Sequence, residues 1–143
     1  MSIPAILLPV FVQVALTFFL LMWTGSRRFR LLKSREVRVR DVALGEKAWP
    51  APAQQVANAF GNQFEVPVLF YVLVALAIYT RKADLLFVVM SWVFVATRLA
   101  HAGVHVTTNN IPHRFATFVA GVAVLLVMWV IFAVRIIAGP WPA

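Results

Sequence analysis

Four apolar stretches, residues 3–23, 54–79, 85–105 and 115–138, divide this chain. Each is long enough to cross a hydrocarbon core of about 30 Å at about 1.5 Å per helical residue. Backbone polar groups inside a bilayer must be satisfied within the segment, so stretches of this length are expected to be helices. With 62% of the 143 residues hydrophobic and 13% charged, too little polar surface remains to coat a water-soluble domain. The expected fold is an all-α integral membrane protein, a four-helix transmembrane bundle forming a single domain over residues 1–143. The first stretch is expected to stay in the mature protein, because no basic segment precedes it and Pro4 and Pro9 interrupt its start.

Charge placement orients the bundle. Eight of the 13 Lys and Arg lie between the first two stretches (Arg27, Arg28, Arg30, Lys33, Arg35, Arg38, Arg40 and Lys47), against Arg81 and Lys82 in the second connection. The positive-inside bias puts the first loop in the cytoplasm, the third connection on the same side, and both termini outside. A basic run beside a membrane helix is read as contacting anionic lipid headgroups rather than nucleic acid. The loop, residues 24–53, has room for an interfacial helix and ends at the turn signals Pro50 and Pro52. Cysteine is absent, so any sulfur chemistry must come from a ligand.

Two of the apolar stretches carry polar stripes. Asn58, Asn62 and Glu65 stand at i, i+4 and i+7 on the second helix, and Arg98, His101 and His105 at i, i+3 and i+7 on the third, so each set shares one face. Ionisable side chains in hydrocarbon are costly unless they meet a partner, water or a ligand, which points both stripes inward. Arg98, with Arg114 at the start of the fourth helix, lies at the same membrane boundary as Asn58, Asn62 and Glu65. The expectation is an anion site with acceptors nearby, Arg114 being joined there by first-turn backbone N–H groups. The other reading is that Arg98 and Glu65 pair, each offsetting the other's burial.

His101 and His105 have the spacing that presents two imidazoles to one metal, with Glu65 or His113 as a third ligand. Ala102 stands where the familiar two-histidine metal helix has Glu, and Arg98 on the same stripe repels a cation. The favoured reading is a pair of hydrogen-bonded histidines and no metal. Pro67 lacks a backbone donor and is expected to bend the second helix beside Glu65. Small residues at Ala53, Ala57 and Gly61, at Ala96, Ala100 and Gly103, and at Thr117 and Gly121 permit close helix approach, within the chain or between copies.

Asn62-Gln-Phe-Glu65-Val-Pro67-Val-Leu-Phe, Arg98-Leu-Ala-His101, His105 and Ile-Pro112-His-Arg114 together resemble the MAPEG family, the membrane-associated proteins in eicosanoid and glutathione metabolism. The resemblance covers the whole four-helix layout. It implies a homotrimer binding glutathione between subunits near the cytoplasmic side, and a glutathione-dependent transferase or peroxidase acting on lipophilic electrophiles. Arg114 then matches the arginine that stabilises the glutathione thiolate, Asn62 and Glu65 match residues that hold the tripeptide, and Arg98 matches an arginine lining the same site. Asn58, His101 and His105 fall among the binding positions. The best-known members have an arginine where this chain has Asn58 and a tyrosine where it has His105. Arg28, or its neighbours Arg27 and Arg30, is expected to supply the missing charge, since a guanidinium presents a planar fork to a carboxylate. The alternative function is a non-catalytic membrane scaffold or accessory subunit that keeps the fold.

Overall fold

The computed structural model describes residues 1–45 and 48–139, so Lys47 of the basic loop lies outside the described residues. The described residues are all helical, with no strand among them. Helix α1 runs from Ile3–Lys33, further than residue 23, because Arg27, Arg28, Arg30, Leu31 and Leu32 are good helix formers beyond the apolar stretch. At 31 residues it is about 46 Å long, so its basic last turns extend past an apolar layer of about 30 Å. Pro4 occupies its first turn, and Pro9 is accommodated inside it instead of breaking its start. The backbone turns away at Ser34 and Arg35, the latter in the left-handed region at φ 60°. The expected interfacial helix is reduced to one turn, α2 (Val39–Val42).

The second span is divided. Helix α3 (Ala51–Gly61) is followed by a 3-10 turn over Asn62–Phe64, a break at Glu65 (φ −97°, ψ −106°) and α4 (Val66–Tyr79). Pro67 lies in the first turn of α4, where its missing N–H costs nothing, and its ring excludes a regular helix through residue 63. The expected bend is therefore a full interruption of the helix.

Helix α5 (Leu85–Val106) starts at Asp84, whose Oδ1 accepts a hydrogen bond from the Phe87 N–H at 2.9 Å. Helix α6 (Ile111–Ile137) starts four residues before position 115, because Asn110 caps it and Pro112 fits its first turn. Together α1, the α3–α4 unit, α5 and α6 are four helical units long and apolar enough to cross a membrane.

The main core joins Phe70, Leu73 and Val74 of α4 to Phe94 and Val95 of α5 and to Leu125 and Met128 of α6. The Phe70 and Phe94 rings stand 4.7 Å apart. A second cluster, Leu20, Val56, Ala59 and Ala102, closes the end nearer the basic loop. Apolar side chains such as Phe18, Phe19 and Leu126 point outward, as a lipid-facing surface requires. Helices α5 and α6 approach closely at Gly121, where a Cβ would stand 2.8 Å from Thr97 Oγ1. Gly61 and Gly103 have open space where a Cβ would go, so those two stripes do not serve packing within the chain at their glycines.

Candidate functional site

The break at Glu65 turns the end of α3 toward the last turns of α5 and the first turns of α6, leaving a cavity of about 560 Å³. Asn58, Asn62, Glu65, His101, His105 and Arg114 all line it. The apolar part of its wall comes from Ile111, Phe115 and Phe118 of α6.

Asn62 organises the polar wall. Its side-chain amide nitrogen lies 3.5 Å from His101 Nε2 and 3.3 Å from His105 Nδ1. His101 Nδ1 lies 3.0 Å from the Arg114 carbonyl oxygen. A carbonyl only accepts, so His101 carries its hydrogen on Nδ1 and receives the Asn62 amide at Nε2. By the same reasoning His105 Nδ1 accepts the second Asn62 hydrogen, which leaves its hydrogen on Nε2. Each histidine is thus hydrogen-bonded to Asn62. His113 is tied to Asn110 instead, Nδ1 to Oδ1 at 2.7 Å, and does not line the cavity. Among the described residues no group of three His, Asp or Glu is placed to hold a metal ion.

Arg98, expected to line the same site, is completely buried behind the cavity wall and is not among the residues that line it. Its Nη2 donates to the Asn62 carbonyl at 3.3 Å, and its guanidinium carbon stands 5.9 Å from the centre of the Phe118 ring. Nε and Nη1 are buried with no hydrogen-bond partner. Among the described residues Glu65 makes no close ion pair, so the alternative reading of a direct Arg98–Glu65 pair is not what the chain adopts, although the two charges still attract each other at longer range. A buried arginine with two unsatisfied donors is costly, and the Glu65 carboxylate stands on the cavity wall without a close ion-pair partner.

Arg114 is fixed by a residue that sequence reasoning missed. Its Nη1 donates to Asn109 Oδ1 at 2.6 Å, and Asn109 sits in the left-handed region at φ 48° with its N–H on the Val104 carbonyl at 2.8 Å. The signal was legible: an Asn just past a helix and before a proline is the residue type that closes a helix in this conformation. Phe118, one turn after Arg114, was also missed. The expected free amides of the α6 first turn are partly spent, because the His113 N–H is held by Asn110 Oδ1 at 3.1 Å.

Two expected contributors behave differently. Asn58 reaches the cavity but accepts a 2.6 Å hydrogen bond from Gln54 Nε2 on its own helix. Arg28 is not brought to the cavity: its guanidinium lies over the Trp49 ring at 4.8 Å, because the extension of α1 carries it to the segment that leads into α3.

The MAPEG family model matches residues 6–134, nearly the whole helical region and every residue of the cavity wall. No curated protein and no solved structure matches the chain. On the extent of that match, the chain is a member of the MAPEG family, an integral membrane protein with several membrane-crossing helices.

Proposed function

We propose that this protein binds glutathione in the cavity between α3, α5 and α6, and uses its thiolate against a lipophilic electrophile, as a transferase or peroxidase. The observation that carries the reading is the convergence of Asn62, Glu65, His101, His105 and Arg114 on one cavity at the end of the bundle that bears the basic loop. Glutathione has two carboxylates, one ammonium and a thiol. Glu65 suits the ammonium, and the unsatisfied donors of Arg98 suit a carboxylate that reaches them. Arg114 suits the sulfur, since a cation beside a thiol lowers its pKa and raises the fraction of nucleophilic thiolate. The bilayer supplies the apolar co-substrate to Phe115 and Phe118, and the cytoplasm supplies glutathione.

The reading includes a homotrimer, with a cavity completed by a neighbouring copy. Its support within one chain is the open space beside Gly61 and Gly103, where another helix can approach closely. In that assembly Arg28, which does not reach its own cavity, serves that of an adjacent subunit. Native mass spectrometry from detergent should give a species of three chains, and monomers alone would count against this assembly.

Calorimetric titration of the purified protein with glutathione, paired with turnover of a chlorodinitrobenzene, tests the reaction. Binding with turnover is the expected result. One observation favours a second reading, a non-catalytic scaffold or accessory subunit: Asn58 is a neutral amide engaged by Gln54, so one cation for a carboxylate is lacking. Absence of glutathione binding would favour that reading.

A further inference from the structure

At the opposite end of the bundle α4 ends, the turn of residues 80–84 leads into α5, and α6 finishes beside it. These elements enclose an open recess of about 680 Å³ whose wall includes Arg81, Lys82, Asp84, Arg135 and Gly139. We propose that this recess is a binding site for a phosphate group, carried by the headgroup of an anionic phospholipid or free in solution.

The charge balance is the first support. Three side-chain cations meet one carboxylate on a wall that Met1 also lines, and both oxygens of that carboxylate are spent. Asp84 Oδ1 holds the Phe87 N–H at 2.9 Å, and Oδ2 holds Arg135 Nη2 at 2.7 Å. Among the described residues the Arg81 guanidinium and the Lys82 ammonium have no hydrogen bond or ion pair. A phosphate monoanion therefore meets two uncommitted cations there.

Backbone conformation is the second. Arg81 sits at φ 55°, the left-handed position that closes α4, with its N–H on the Ile78 carbonyl at 3.1 Å and the Lys82 N–H on the Ala77 carbonyl at 3.0 Å. Glycine takes this position without strain, so an arginine here is not selected by the backbone. The Lys82 ammonium lies beside Gly139, where a Cβ would stand 3.1 Å from its Nζ. Cations near helix C-termini also relieve the helix dipole, but that role needs no recess on which three of them converge. Arg81 offers a planar fork for two phosphate oxygens, and Lys82 adds a compact charge.

Surroundings favour the lipid as the source. Val134 of the recess wall is exposed, as are Tyr79, Leu85 and Ile137 within two positions of wall residues along the chain, an aromatic and aliphatic margin of the kind found where a membrane protein meets headgroups and acyl chains. A headgroup seated on Arg81 and Lys82 would lay its chains against that margin.

The test uses the full chain in detergent, with phosphatidylglycerol, phosphatidylcholine or inorganic phosphate added, read by lipid retention in native mass spectrometry and by thermal unfolding. Arg81→Gly is the informative variant, since it relieves the backbone while removing the fork. Its unfolding temperature in phosphatidylcholine should rise. Its apparent affinity for phosphatidylglycerol should fall by about tenfold, as loss of one charge-assisted pair implies. Lys82→Gln should lose affinity in the same direction. The loop control Arg38→Gln/Arg40→Gln should keep the wild-type preference at this end. If inorganic phosphate reproduces the wild-type stabilisation and Arg81→Gly abolishes it, the site stands and its ligand is soluble phosphate. Retention of phosphatidylglycerol and of its stabilising shift by both Arg81→Gly and Lys82→Gln would overturn the proposal.

Discussion

Gln13 of α1 donates a 2.8 Å hydrogen bond to Gln63, 50 positions along the chain, and both side chains are sealed inside the bundle. Gln63 in turn donates to the Ala59 carbonyl at 2.9 Å, one turn back, at the place where α3 tightens into its 3-10 turn. The pair ties α1 to the break that directs Asn62 and Glu65 into the cavity. Gln63→Leu should strand the Gln13 amide, whose Oε1 already lacks a partner, at a cost of about 1–2 kcal/mol. The double variant Gln13→Leu/Gln63→Leu should cost less than the sum of the single variants. Unfolding in mixed detergent micelles measures both, and strictly additive losses would dissolve the coupling.

Arg114 carries the chemical prediction. Arg114→Ala should lower turnover of a chlorodinitrobenzene by at least about tenfold, equivalent to about 1.4 kcal/mol, with the fold intact. The ultraviolet absorbance of bound thiolate across pH should show the thiol titrating at higher pH in the variant. An unchanged titration would remove Arg114 from thiolate stabilisation.

Asn109 should act through Arg114. Asn109→Gly keeps a residue at ease with φ 48° but deletes the 2.6 Å acceptor of the guanidinium, so turnover should fall while stability holds. Asn109→Ala should also lose about 1 kcal/mol of stability, because alanine is strained in the left-handed region. Measuring kcat alongside thermal unfolding for both variants separates the two effects.

The Asp84–Arg135 contact makes a pH prediction. The hydrogen bond from Arg135 holds the Asp84 carboxyl below its ordinary value. A depressed pKa contributes stability above the unfolded value of about 3.9, lost as pH falls through the folded value below it. Both partners are substantially solvated, so the contribution is at most about 1 kcal/mol. Asp84→Asn should be less stable than the wild type at neutral pH, and the gap should close below about pH 4.

Orientation is checked at Ser34, an exposed residue just past α1. In a Ser34→Cys protein, a membrane-impermeant thiol reagent should label from the cytoplasmic side alone. Labelling only from outside would reverse the topology.

Sequence alone determined the number of membrane-length helices, their order and the two polar stripes, because helix periodicity and the cost of exposed backbone in hydrocarbon are local rules that each segment obeys by itself. It also placed Pro67 beside Glu65, since a missing N–H acts within one turn. The tertiary structure decided which groups meet. Arg98 had a carboxylate at hand in the sequence, yet its hydrogen bond goes to a backbone carbonyl beside the 3-10 turn and it makes no close ion pair with Glu65. Arg114 depends on the left-handed Asn109, and Gln63 on a residue of α1. Those outcomes depend on the angles at which helices cross and on where one of them breaks, and such geometry is fixed by packing across the bundle rather than by the spacing of residues along any one helix.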